Sequence, residues 1–244
     1  LDYLSDIFGA SPFADGTHTG LCDSMKKAGV DVSVSLPAVT KVSQVESINR
    51  FASAFTEGAV ISFGGIHPEC ENYKEILKEI KNLGLKGIKL HPDYQDMYFD
   101  DIRYEHIVDT ASELGLITVV HAGADPKCPK DVHCTPKMAR KLLDDVKPEK
   151  LVLAHMGGNE MWDEAEKYLV GQNVYFDTGV ILDRMPEEQF LRMVHMHGAD
   201  RILFGTDSPW ADQKKFVTLF DQMPLTEEEK MAVFSGNAKK LLGI

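Results

Sequence analysis

Seven short apolar runs recur along this chain, and amphipathic segments separate them. They are VDVSVSLPAV (30–39), VISFGGIHP (60–68), GLKGIKLHP (84–92), LITVVHAG (116–123), LVLAHMG (151–157), NVYFDTGV (173–180) and RILFGTDSP (201–209). Each is nearly continuous in hydrophobic residues, the pattern of parallel strands covered on both faces. The intervening ENYKEILKEIKNLG places Tyr73, Ile76, Leu77, Ile80 and Leu83 on one helical stripe. The segments 101–115 and 186–198 carry the same period. Gly29, Gly84, Gly115 and Gly198 stand where such helices would stop, Thr135-Pro136 where one would start, and Thr226 to Glu229 reads as a capping box. Successive runs start 22 to 35 residues apart, which is βαβ repetition with no linker to mark a second domain.

This arrangement predicts one (β/α)8 barrel over residues 1–244, with one strand short of the count. The missing strand is the first: residues 1–29 read as helix and loop without an apolar run. The composition fits an ordinary globular protein, 43% hydrophobic and 26% charged. A formal net charge of -12 argues against nucleic-acid or membrane-surface partners, which call for basic patches. No apolar stretch approaches the ~18 residues of a membrane span, and the first residues lack the pattern of a signal peptide. Cys22, Cys70, Cys128 and Cys134 form no CxxC pair and read as reduced thiols, so a cytoplasmic protein is expected. Cys128 and Cys134 flank His133, a set that suits either a small metal site or a plain loop.

The polar residues sit at one end of the strands. The runs close on His67, on Lys89 and His91 two apart, on His121, on His155, on Asp177 and on Asp207. An unpaired carboxylate is costly to bury, so an apolar strand ending in Asp207 asks for a compensating partner. Each residue has a structural alternative. A buried histidine is often only a hydrogen-bonded core residue, His67 and His91 each precede a proline, Lys89 could snorkel to a rim, and Asp177 could open a turn. In a parallel barrel, however, the carboxyl ends of the strands form the active-site face, and six of seven runs carry an ionisable residue there. Neutral imidazoles and a carboxylate are zinc-type ligands, and an aspartate beside metal-bound water can move its proton. The set suits metal-assisted hydrolysis, or a related hydration or decarboxylation.

Together, GGIHP, KGIKLHP, VVHAG, LVLAHMGG, RILFGTDSPW and the terminal GNAKKLLG resemble the amidohydrolase-related (amidohydrolase 2) branch of the amidohydrolase superfamily, and the resemblance spans essentially the whole chain. It implies a metal-dependent hydrolase, decarboxylase or hydratase acting on a small, carboxylate-bearing molecule with one divalent metal, zinc by expectation. It implies His121 as a metal ligand, His155 on the substrate or the attacking water, and Asp207 as both weak ligand and general base. Lys89 becomes a partner for substrate charge, with His91, His67, Asp177 and Trp162 as further substrate contacts. The family's first strand carries an HxH pair that supplies two more ligands. No HxH occurs here, so the natural protein is expected to begin before Leu1, with those two ligands in the missing part. The Pro-rich stretch AGADPKCPKDVHCTPK reads as a lid or as an ordinary surface excursion, and Trp162 and Trp210 as pocket walls or as packing. The competing readings are a phosphoesterase or nuclease of the same superfamily, a Schiff-base lyase using Lys89, and a non-catalytic barrel. The oligomeric state is left open between monomer and homo-oligomer.

Overall fold

The computed structural model of the protein describes residues 2–9, 11–55 and 58–244. All seven apolar runs contain strand, and every strand pairing is parallel. β1 (Ser33–Ser35) pairs with β2 (Val60–Ser62). β3 (Gly64–Gly65) continues the β2 run after Phe63 and begins a six-stranded sheet. That sheet continues in chain order through β4 (Gly87–Leu90), β5 (Ile117–Val120), β6 (Leu151–Leu153), β7 (Tyr175–Asp177) and β8 (Ile202–Leu203). Phe63 donates its backbone N–H to Ser35 O at 2.9 Å, so the two sheets meet at one residue and form a continuous arc.

The helices lie where the periodicity places them. Tyr73–Asn82 buries Leu77 and Ile80 completely. Ile102–Glu113 is capped by the Asp101 side chain, Pro136–Val146 by Thr135, and Glu227–Met231 by the Thr226–Glu229 box. Residues before β1 form helices Asp2–Phe8 and His18–Ala28, with no strand among those described.

The arc does not close among the described residues. β1 pairs only with β2, and β8 only with β7. Between these two edges lies a cavity of about 700 Å³, lined by residues 29–36 on one side and 203–208 on the other. This corrects one expectation: β1 is not covered on both faces. Val34 is 37% exposed because it borders the cavity instead of a neighbouring strand.

Inside the arc, a buried glutamine pins three strand ends. Gln95 Nε2 donates to Val39 O at 3.0 Å and to Ile66 O at 2.8 Å, while its Oε1 accepts from His91 N at 3.2 Å. These carbonyls and this amide lie beyond the regular ladder, where buried backbone groups need partners. Gln95 thereby holds the ends of three strand runs in one layer, beneath the polar residues that follow them.

Candidate active site

Strand register assembles the site. β4 and β5 pair Leu90 with Val120, so the next residues, His91 and His121, come side by side. Their rings stack with centroids 4.2 Å apart and planes 7° from parallel. Tyr94 covers the other side of His91 at 3.7 Å. Burial holds both imidazoles well below their usual pKa; the Lys89 charge adds to this for His91, and His91 itself adds to it for His121.

The next strand brings His155 against His121, with His155 Nε2 3.0 Å from His121 Nδ1. The proton in this contact can be assigned. His155 Nδ1 lies 2.9 Å from Gly179 O, and a carbonyl only accepts, so Nδ1 carries the hydrogen. In neutral His155, Nε2 is then an acceptor and His121 Nδ1–H is the donor. The lone pair of His121 therefore sits on Nε2. That atom is buried and has no hydrogen-bond partner among the described residues. It faces Asp93 Oδ2 at 3.8 Å and Asp125 Oδ2 at 3.9 Å. A lone pair directed at two carboxylates is an arrangement of acceptors without a donor. Asp93 Oδ2 is also buried without a partner. Burial raises the carboxyl pKa of both residues, that of Asp125 to about 6.

A divalent cation fits this arrangement. His91, His121 and Asp125 each offer a ligand atom, all within 4.8 Å of one another. The parallel stacking limits how they act together, because an imidazole lone pair lies in its ring plane and one ion cannot lie in two stacked planes. His121 and the carboxylates are therefore the natural donors, and His91 becomes a donor only if its ring turns.

The other predicted residues lie on the far side of His155. Lys89, His155, Asp177 and Asp207 all line the 700 Å³ cavity. Burial depresses the Lys89 ammonium pKa, and the charges of Asp207 and Asp177 partly oppose the shift. Asp177 Oδ1 accepts from the backbone N–H of His155 and of Gly179, each at 2.9 Å, so it begins a turn and also positions His155. Trp162 Nε1 donates to His155 O at 3.2 Å and grips that residue from behind. His155 and Asp207 both have left-handed backbones, with φ of 60° and 58°. Non-glycine residues seldom adopt that region, and it recurs where a side chain must be aimed. Asp207 is exposed, so the expected burial of this carboxylate is not realised: the open slot gives it solvent. It also lies outside the close donor group around His121. His67 is buried in its own loop, where its Nδ1 accepts from Glu69 N at 3.3 Å.

Asp93 and Asp125 were not among the sequence candidates. Their signal was an acid two residues after His91 and four after His121. Loop contacts bring Asp125 into place. Gly123 pairs with Asn159, and the Asn159 side chain donates to Ala124 O at 2.8 Å, which clamps the loop after β5 to the loop after β6.

A sequence model of the family described as Amidohydrolase matches residues 20–244. The chain belongs to the amidohydrolase family. This amidohydrolase has the TIM-barrel fold and is an enzyme. Among solved structures it is similar to 5-carboxyvanillate decarboxylase LigW from Sphingomonas paucimobilis, at 17% identity and a TM-score of 0.73, covering 93% of this chain and 84% of that one. It is also similar to 2,6-dihydroxybenzoate decarboxylase from Rhizobium, at 15% identity and a TM-score of 0.73, covering 100% and 92%. A third similar structure is a dihydroxybenzoic acid decarboxylase from Polaromonas sp. with bound manganese and the inhibitor 2-nitroresorcinol, at 17% identity and a TM-score of 0.70, covering 93% and 86%. No curated protein sequence is significantly similar to this chain.

Proposed function

We propose that this amidohydrolase removes carbon dioxide from, or hydrolyses, a small carboxylate-bearing molecule held in the cavity beside β8. The observation that carries the reading is the arrangement around the two histidines. A lysine and two aspartates face the cavity on one side, and an unpartnered imidazole lone pair meets carboxylates on the other. The cavity has the size of a small-molecule site.

His121 would hold the metal with Asp125 and Asp93, and a divalent ion bound there polarises a carbonyl or carboxylate, or activates water. The nitrogen and oxygen donors suit manganese as well as zinc. Lys89, cationic in a partly desolvated wall, attracts a substrate carboxylate. Asp207, exposed in the same cavity, holds or releases the proton at its carboxylate. His155 is kept in a single tautomer by Gly179 O and is aimed by Asp177 and Trp162, so it orients His121 and borders the substrate. The four cysteines are free, which suits a reducing compartment, and we place the enzyme in the cytoplasm.

The test is a screen of aromatic and aliphatic carboxylates against the manganese- or zinc-loaded protein, reading carbon dioxide release and hydrolysis separately. Turnover that is lost on chelation and restored by either metal supports the reading, and metal-independent turnover overturns it. The depressed ammonium of buried Lys89 favours one second reading, a Schiff-base lyase, and borohydride trapping of a carbonyl substrate on Lys89 would establish it instead.

A further inference from the structure

A second cluster of metal-binding side chains lies outside the cavity, under the long loop after β5. Asp93, Cys128 and His133 each offer a ligand atom, and the three atoms lie within 4.8 Å of one another. Asp93 follows β4, whereas Cys128 and His133 come from the Pro-rich stretch 35 to 40 residues further on. The Asp93 and His133 side chains are 0% and 6% exposed. His133 Nδ1 is 3.2 Å from Asp93 Oδ1, and the backbone N–H of His133 donates to the same oxygen at 3.2 Å. Cys128 Sγ lies 3.9 Å from the Asp93 carbonyl and is only half-buried. The thiol thus stands at the entrance, with the imidazole and carboxylate fixed behind it.

We propose that Asp93, Cys128 and His133 form a zinc site that fastens the loop after β5 to the end of β4. The donor set argues for zinc, and the spacing allows it: tetrahedral zinc with bonds of about 2.0–2.3 Å places its ligand atoms about 3.3–3.8 Å apart, so the imidazole and carboxylate, hydrogen-bonded at 3.2 Å, need part only slightly to admit the ion. The donor types, thiolate, imidazole and carboxylate, are the three that zinc takes together, whereas manganese and magnesium avoid thiolate. Protons balance on binding. The Cys128 thiol releases its hydrogen to solvent, and the His133 ring hydrogen moves from Nδ1 to Nε2, which faces the exposed Asp96 carboxylate at 3.7 Å, beyond direct hydrogen-bond reach. Water completes the fourth position.

Asp93 would offer Oδ1 to this site and Oδ2 to the His121 centre, but only this site has sulfur, and that separates the two experimentally. Full-length protein freed of metal with a chelator is titrated with Co(II), and the near-ultraviolet thiolate-to-cobalt charge-transfer band is read beside the visible ligand-field bands. A charge-transfer band that disappears in Cys128→Ser while visible bands remain supports the proposal. Visible bands with no charge-transfer band in the unaltered chain overturn it and leave the His121 reading intact. In parallel, alkylation of Cys128 by iodoacetamide is followed by mass spectrometry with and without zinc, using Cys22 as internal control. Slowing of Cys128 by tenfold or more with Cys22 unchanged supports the site, and equal rates with and without zinc overturn it.

Discussion

His121 and His155 meet nitrogen to nitrogen at 3.0 Å, and the carbonyl of Gly179 decides which of them donates. One hydrogen bond at the far side of His155 therefore determines which nitrogen of His121 is open to a ligand. The pair links two regions with different tasks. The cavity side carries Lys89, Asp177 and Asp207. The loop side carries Asp93 and Asp125.

Asp207→Asn keeps the shape of the cavity wall and removes the proton-exchanging group. Turnover on the substrate found by screening should fall at least about 100-fold, the scale of a lost acid–base group. Thermal unfolding should hardly change, because Asp207 is exposed. Steady-state rates with an accompanying melting curve check this, and an unchanged rate and pH profile would remove Asp207 from the reaction.

Divalent metal should stabilise the fold, since the acceptors facing His121 Nε2 repel one another without a cation. With metal at about 100 times its dissociation constant, the gain is about 2.7 kcal/mol. Differential scanning calorimetry of chelated and reloaded protein measures it. Asp125→Asn should weaken metal binding by tenfold or more and shrink that shift.

Gly123→Ala should destabilise the protein by more than about 2 kcal/mol. Gly123 has φ of 88°, and an added methyl group would collide with the backbone of Gly158 and Asn159. That contact also positions Asp125, so metal affinity should fall together with stability. Urea denaturation with m-value analysis, paired with metal titration, tests both. Retained stability would show that the loop yields.

Asp101→Ala should cost about 1 kcal/mol at neutral pH by uncapping helix Ile102–Glu113. The hydrogen bond from Arg103 holds the Asp101 carboxyl down at about 2 in the folded protein. A depressed folded pKa gives stability that is present above the unfolded value of about 3.9 and lost as pH falls through the folded one. The gap between wild type and Asp101→Ala should therefore be full above pH 5 and close between about pH 4 and 2. Denaturant midpoints measured across that range would reveal it.

The βαβ order, the helix starts at Thr135 and Thr226, and the ionisable residue at the end of six of the seven apolar runs are legible in the sequence alone. All follow from local rules: a strand two-side buried is continuously apolar, a helix is apolar every three to four residues, and a cap needs a short polar side chain. The stack of His91 on His121 was not legible, because it depends on a register offset of 30 residues between β4 and β5, which only packing sets. Asp93 and Asp125 escaped for the same reason. Asp93 lies in the single helical turn Pro92–Gln95 and Asp125 on a loop, segments too short to show periodicity, and they reach His121 through contacts between chain-distant segments, such as Gly123 with Asn159. Exposure was decided at the same level: Asp207 and Val34 meet open space because β1 and β8 do not pair, and pairing is a property of two strands in space. Sequence periodicity records what each residue does to its own element, while the site depends on which elements become neighbours and by how many residues they are offset.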